Sequence, residues 1–132
     1  SDLDAKVIPY RNPEQLFNIY IQSDAVLSPR LLDNSYNFGH TEWKITLGMA
    51  CGCRVLASPV PSYRDVWARS SGTEIVLCDT QDKWHSAFET MLNIGVSRDA
   101  RVRSQRIVEK HYSSRVIAGQ HISCVERLFS DA

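Results

Sequence analysis

No apolar stretch in the 132 residues approaches the roughly 20 that a membrane-crossing helix needs, and no secretory signal pattern opens the sequence. A soluble globular chain is the expectation. Charge of one sign is missing too: 15 Lys and Arg balance 15 Asp and Glu, so no overall field draws the chain to nucleic acid or to a membrane, and any basic site must be local. Cysteine occurs only as Cys51, Cys53, Cys78 and Cys124, and Cys51-Gly52-Cys53 lacks the two-residue gap of a zinc knuckle, with no second pair to match it. These four are expected to be core thiols in a reducing cytoplasm. A glycine-rich phosphate loop is also absent, which argues against an unrelated flavodoxin-like nucleotide-binding domain. The four histidines are scattered, and only His40, just ahead of an apolar helix, invites a functional reading beside a capping or surface one.

What is present is an alternation of strand and helix patterns in a chain of single-domain length, enough to bury roughly two-thirds of the surface its unfolded form exposes. Lys6 to Pro9 is a short strand candidate, and Asn12-Pro13 opens a helix with Leu16, Ile19 and Tyr20 on its inner face. Asp24 to Pro29 reads as a strand that delivers Arg30 at its carboxyl end. Residues 31–40 form a polar loop without periodicity, placed before a helix start where function commonly sits. From Thr41 to Cys51 the apolar residues outnumber what one exposed helical face requires, so this helix is buried on several sides. Gly52 stands where a helix end needs left-handed backbone, and Val55 to Ala57 form the continuous apolar run of a strand covered on both faces. Ser58-Pro59-Val60-Pro61-Ser62 makes a stiff loop, with Ser62 an expected helix N-cap.

Glu74 to Asp79 is a further strand, and Thr80 caps a helix carrying Trp84, Ala87, Phe88, Met91 and Leu92 at helical spacing until Gly95 stops it. Two helices finish the chain, about 97–112 and about 114–129, the second with Ile117, His121, Cys124, Val125 and Leu128 on one stripe. Arg98, Arg101, Arg103, Arg106 and Lys110 cluster on the first, where a solvated face is the plain reading. The expected architecture is an α/β fold with a Rossmann-like parallel sheet of four strands and flanking helices. Ligands of open parallel sheets bind beyond the carboxyl ends of the strands, which puts the loop from Ser58 to Tyr63 at the crevice.

The run from Glu42 to Val66 carries a more specific signal. It resembles the donor-binding half of a GT-B glycosyltransferase, of the group 1 or family 4-like kind. Those domains have a helix of the form K-x-x-E-x-M-A-x-G, a strand P-V-V-A-S, and then a helix with Y-R-E-V. Here Lys44, Met49-Ala50, Gly52, Val55-Leu56-Ala57-Ser58 and Tyr63-Arg64-Asp65-Val66 follow that pattern, and Ala25-Val26 to Pro29 matches its A-D-V-x-x-x-P-S strand. The glutamate that commonly holds the donor ribose is replaced by Gly48, and Glu42 could stand in for it only from a rotated or shifted helix.

The resemblance implies a retaining, nucleotide-sugar-dependent transferase that moves a hexosyl unit to a polysaccharide, lipid or protein acceptor. Arg30, His40, Lys44, Gly48, Ser58, Ser62 and Tyr63 are the donor-binding candidates it implies. Arg30 and Lys44 would face the diphosphate, with a surface ion pair and a solvated helix face as their alternatives. Ser58 and Ser62 would donate to phosphate, and Tyr63 would stack on a base or pack the loop. The absence of a D-x-D motif fits the metal independence usual in that family, so no cofactor is expected. The acceptor domain and the first strand–helix units of the donor half are not found, so residues 1–132 are expected to be one partial domain, truncated at its N-terminus and inactive alone. The missing domain or a partner chain would complete it. A cytoplasmic location follows, and both peripheral membrane attachment at the inner face and homo-oligomerisation are compatible with it. A non-catalytic binding or assembly module derived from such an enzyme is the alternative, favoured by Gly48.

Overall fold

The computed structural model describes residues 5–130. Its elements run α1 (Pro13–Gln22), β1 (Ala25–Ser28), α2 (Ser35–Phe38), α3 (Trp43–Ala50), β2 (Arg54–Ala57), α4 (Pro61–Ala68), β3 (Ile75–Leu77), α5 (Gln81–Ile94), α6 (Arg98–Tyr112) and α7 (Ser114–Ser130). The strands form one parallel sheet in the order β1-β2-β3, so each connection crosses over through helix. The protein is therefore α/β, with a Rossmann-like arrangement of parallel strands and flanking helices.

Local chemistry fixes most of the boundaries. Asn12 accepts a hydrogen bond from the Gln15 amide at 2.8 Å with Pro13 as the first helical residue, Thr80 caps α5 through the Lys83 amide, and Ser97 caps α6 through the Ala100 amide. Gly52 ends α3 at φ +86, and the Cys53 amide closes the turn back onto the Gly48 carbonyl at 2.9 Å. A side chain at Gly52 would be strained by that φ and would also meet Arg101 of α6.

The parallel register sets Val26, Val55 and Ile75 side by side, and these face a core made with Ile45 and Met49 of α3, Val60, and Tyr63 and Val66 of α4. Ile107, Val108 and Tyr112 of α6 close that core. The opposite face is thinner. Leu27 and Val76 remain 38% and 37% exposed there, and a cavity of about 290 Å3 separates α5 from the strands, lined by Leu56, Val76, Ala87 and Met91.

Several expectations are corrected. Lys6 to Pro9 is not a strand: Val7 is 92% exposed and no strand pairs with it among the described residues, so the sheet has three strands instead of four. β-propensity supplies shape, but a strand exists only where a neighbour accepts its hydrogen bonds. The loop of residues 31–40 contains the short helix α2, whose cap is Asn34. Ser62 does not cap α4; Val60 holds that position because Pro61, with its fixed φ, takes the first helical place. The cysteines are not uniformly core thiols, since Cys53 and Cys78 are buried, Cys51 is half-buried and Cys124 is exposed on α7. Leu92 of α5 points to solvent, as do Val125 and Leu128 of the α7 stripe. Among the described residues no helix is long and apolar enough to cross a membrane.

Candidate functional site

The carboxyl ends of the three strands meet at one crevice. The Ser58 amide donates to the Ser28 carbonyl at 3.1 Å and the Cys78 amide to the Ala57 carbonyl at 2.8 Å, which continues the ladder just beyond the strands. Arg30 leaves β1 two residues after its end, and its main-chain amide donates to the Ser58 hydroxyl at 2.8 Å. Ser58 is buried, so β1 and β2 are laced together beneath the crevice by this contact.

The Arg30 guanidinium meets the Nε2 atom of His40. Arginine nitrogens only donate, so Nε2 is the acceptor of this contact. The Tyr36 ring lies 5.8 Å from that imidazole, centroid to centroid. Lys44, in the first turn of α3, is half-buried; burial depresses its ammonium pKa, and the nearby Arg30 charge depresses it further. Among the described residues the ion pairs join Asp79 to Lys83, Asp24 to Arg101, Glu74 to Arg103 and His85 to Glu89. Neither Arg30 nor Lys44 has a carboxylate within reach there. The Arg30 Nε is buried without a hydrogen-bond partner. Two converging cations, partly desolvated and lacking a counter-ion, form a site that an anion would relieve.

Beside Arg30 lies a cavity of about 440 Å3 lined by Arg30, Leu31, Leu32, Ser58, Cys78, Asp79, Thr80, Gln81 and Trp84, in which the Asp79 carboxylate is paired with Lys83. The first turn of α5 opens onto it, and the positive end of a helix dipole favours negative charge there. Sequence reasoning missed Leu32, Gln81 and Trp84. The signal was available: Thr80 follows the third parallel strand, so the rule that ligands sit beyond strand ends covers α5 as well as the Ser58 loop.

Of the seven predicted site residues, Arg30 and Ser58 line this cavity, His40 meets Arg30, Lys44 feels its charge, and Ser62 is joined to them only through His40; the hydroxyls hold protein more than they face open space. Ser62 donates to the His40 carbonyl at 2.5 Å, and Ser58 is committed to the Arg30 amide. Tyr63 lies below the crevice, fully buried, with its hydroxyl 2.9 Å from that of Ser28; it packs the loop and is not positioned to stack on a base. Counted from Lys44 and from Met49-Ala50, the glutamate of the pattern falls on Leu47 and not on Gly48; Gly48 itself faces the sheet, where a β-carbon would stand 2.4 Å from Cγ2 of Val26. Glu42 opens onto a separate polar cavity of about 200 Å3 with Ser62, Asp65, Arg69 and Tyr112, which Arg30 does not line.

The buried thiols offer no nucleophile, because burial pushes Cys53 up to about 11 and also raises Cys51 and Cys78. Replacing Tyr63 with Phe leaves the buried Ser28 hydroxyl without its partner, and a loss of about 1–2 kcal/mol is expected from the urea midpoint. An unchanged midpoint would mean that Ser28 finds another acceptor. The sequence matches no protein-family model and no curated protein.

Proposed function

We propose that this chain is the nucleotide-sugar-binding domain of a GT-B-type glycosyltransferase, whose complete form transfers a hexosyl unit to a polysaccharide, lipid or protein acceptor. One observation carries the reading: Arg30, its Nε buried without a partner, lies on the wall of a cavity at the carboxyl ends of the parallel strands beside the start of α5, with Lys44 near enough for the two positive charges to act on one another. A nucleotide-sugar donor leaves as a nucleoside diphosphate, and transfer is favoured by fixed cations that oppose the charge building on that leaving group. Arg30 and Lys44 have that role. Ser58 and His40 hold Arg30 in place, and the α5 terminus adds a partial positive charge.

The acceptor contacts and the catalytic base belong to a second domain or partner chain. This chain alone therefore binds donor without turning it over. Retention of anomeric configuration, independence of metal and a cytoplasmic location come with the same reading, on the strength of the sequence resemblance. A second reading, a non-catalytic module that still binds nucleotide, is favoured by the absence of any acidic residue in α3, where the family's helix carries the glutamate that holds the donor ribose.

Calorimetric titration of UDP, GDP and their sugar conjugates into the intact chain tests the proposal. Saturable binding of one base series is expected, weakened about tenfold in Lys44→Ala, a change worth about 1.4 kcal/mol. Wild-type protein that takes up none of these ligands would sink it. Turnover by the chain joined to an acceptor domain separates the enzyme from the non-catalytic module.

A further inference from the structure

We propose that Ser62 is a positioning residue for the cation site, acting through the His40 turn to hold Arg30 where an anion meets both Arg30 and Lys44. The inference rests on the anion-binding reading above. α4 is the fixed element: Tyr63 and Val66 are fully buried, and Ser62 rides on the same turn. The segment between α2 and α3 is held more lightly. His40 donates its amide to the Asn37 carbonyl at 3.3 Å, while its own carbonyl takes the Ser62 hydroxyl at 2.5 Å. That hydroxyl fixes the peptide whose imidazole meets the Arg30 guanidinium.

The stretch from Ser58 to Tyr63 thus grips the site at three points. Its hydroxyls bind the Arg30 amide, the His40 carbonyl and the Ser28 side chain. Of the three, the Ser62 bond is the one made to the turn bearing His40, four residues ahead of Lys44. Losing it leaves the fold standing and lets His40 drift from Arg30. Preorganisation of this kind is worth affinity because the guanidinium need not be ordered when the ligand arrives.

The test uses the intact chain and inorganic pyrophosphate. Ser62→Ala is expected to weaken binding about tenfold, and Ser62→Thr, which keeps the hydroxyl, to restore it. In a His40→Ala background the same serine change should have no further effect, because both act along one path. Two outcomes overturn the positioning role: Ser62→Ala binding like wild type while Arg30→Ala does not, or a serine effect of full size in the His40→Ala background. If wild-type protein fails to bind pyrophosphate, the anion-site reading itself falls, and the positioning role is decided by the imidazole nitrogen NMR signals of His40 without ligand. Ser62→Ala should move those signals and Ser62→Thr should return them. Unmoved signals overturn the inference.

Discussion

Gly48→Glu is expected to destabilise the fold by about 3 kcal/mol or more and to leave nucleotide binding no tighter. A β-carbon at this position stands 2.4 Å from Cγ2 and 3.2 Å from Cβ of Val26. Val26 cannot step aside, because it is buried on β1 and its strand is tied to β2 by the parallel ladder. Alanine alone is a contest between two terms. Helix propensity favours it over glycine by up to about 1 kcal/mol, and overpacking costs about 1–3, so a smaller net loss is expected for Gly48→Ala. Glutamate adds a carboxylate that must be desolvated against the sheet. Urea denaturation reads the stability and UDP titration the binding. A Gly48→Glu protein as stable as wild type and tighter for UDP would show that α3 turns to aim this position into the crevice.

The contrast between Gly48 and Lys44 explains what the sequence could disclose. Whether a residue belongs to α3 was readable from apolar density and from Gly52, and Lys44 at the helix start had to lie near the strand ends once α3 was seen to run between two parallel strands. Which way Gly48 faces depends on how α3 is rotated against β1, and its apolar residues on several sides left that angle open. For the same reason Tyr63 stood between stacking on a base and packing the loop. Its neighbours in sequence placed it at the crevice, but only the packed core shows that the ring lies underneath with its hydroxyl on Ser28. Caps such as Asn12 and Thr80 were legible because each answers to a local hydrogen bond within three residues. Lys6 to Pro9 was not, since pairing partners are remote in sequence. Ser62 does not cap α4 as expected, because the order Val60-Pro61 moves the cap forward and leaves the Ser62 hydroxyl free to reach His40.

Acidification should expose the other large effect, which is located at Glu74, just ahead of β3. The residue is 1% exposed, yet it stays charged. Burial by itself would raise the carboxyl pKa, but hydrogen bonds from Arg103, Thr73 and Ser71 outweigh that and bring it down to about 2. The Arg103 contact is 2.7 Å and the Ser71 hydroxyl lies 2.8 Å away. A folded-state value below the unfolded one means that stability is fully present above the ordinary carboxylate value of 4.5 and is lost as pH falls from there towards 2. At about 1.4 kcal/mol per unit, the group contributes on the order of 3 kcal/mol near neutrality.

Glu74→Gln should therefore cost about 3 kcal/mol at pH 7 and flatten the stability curve between about pH 4.5 and pH 2, since the group responsible for the acid slope there is gone. Arg103→Met should cost less: its side chain is 46% exposed and solvent screens its share, while Ser71 and Thr73 continue to hold the carboxylate. Urea midpoints across that pH range decide the matter, and an equal acid slope in wild type and Glu74→Gln would place the acid sensitivity elsewhere. The consequence reaches the crevice. The Glu74 carbonyl accepts the Val55 amide at 2.9 Å, so the carboxylate that binds α6 also sets the first rung of the β2–β3 ladder, whose far end carries Ser58, Thr80 and the start of α5. Loosening that rung by acid is expected to weaken nucleotide binding before the chain unfolds, because the wall of the cavity hangs on a strand of three residues.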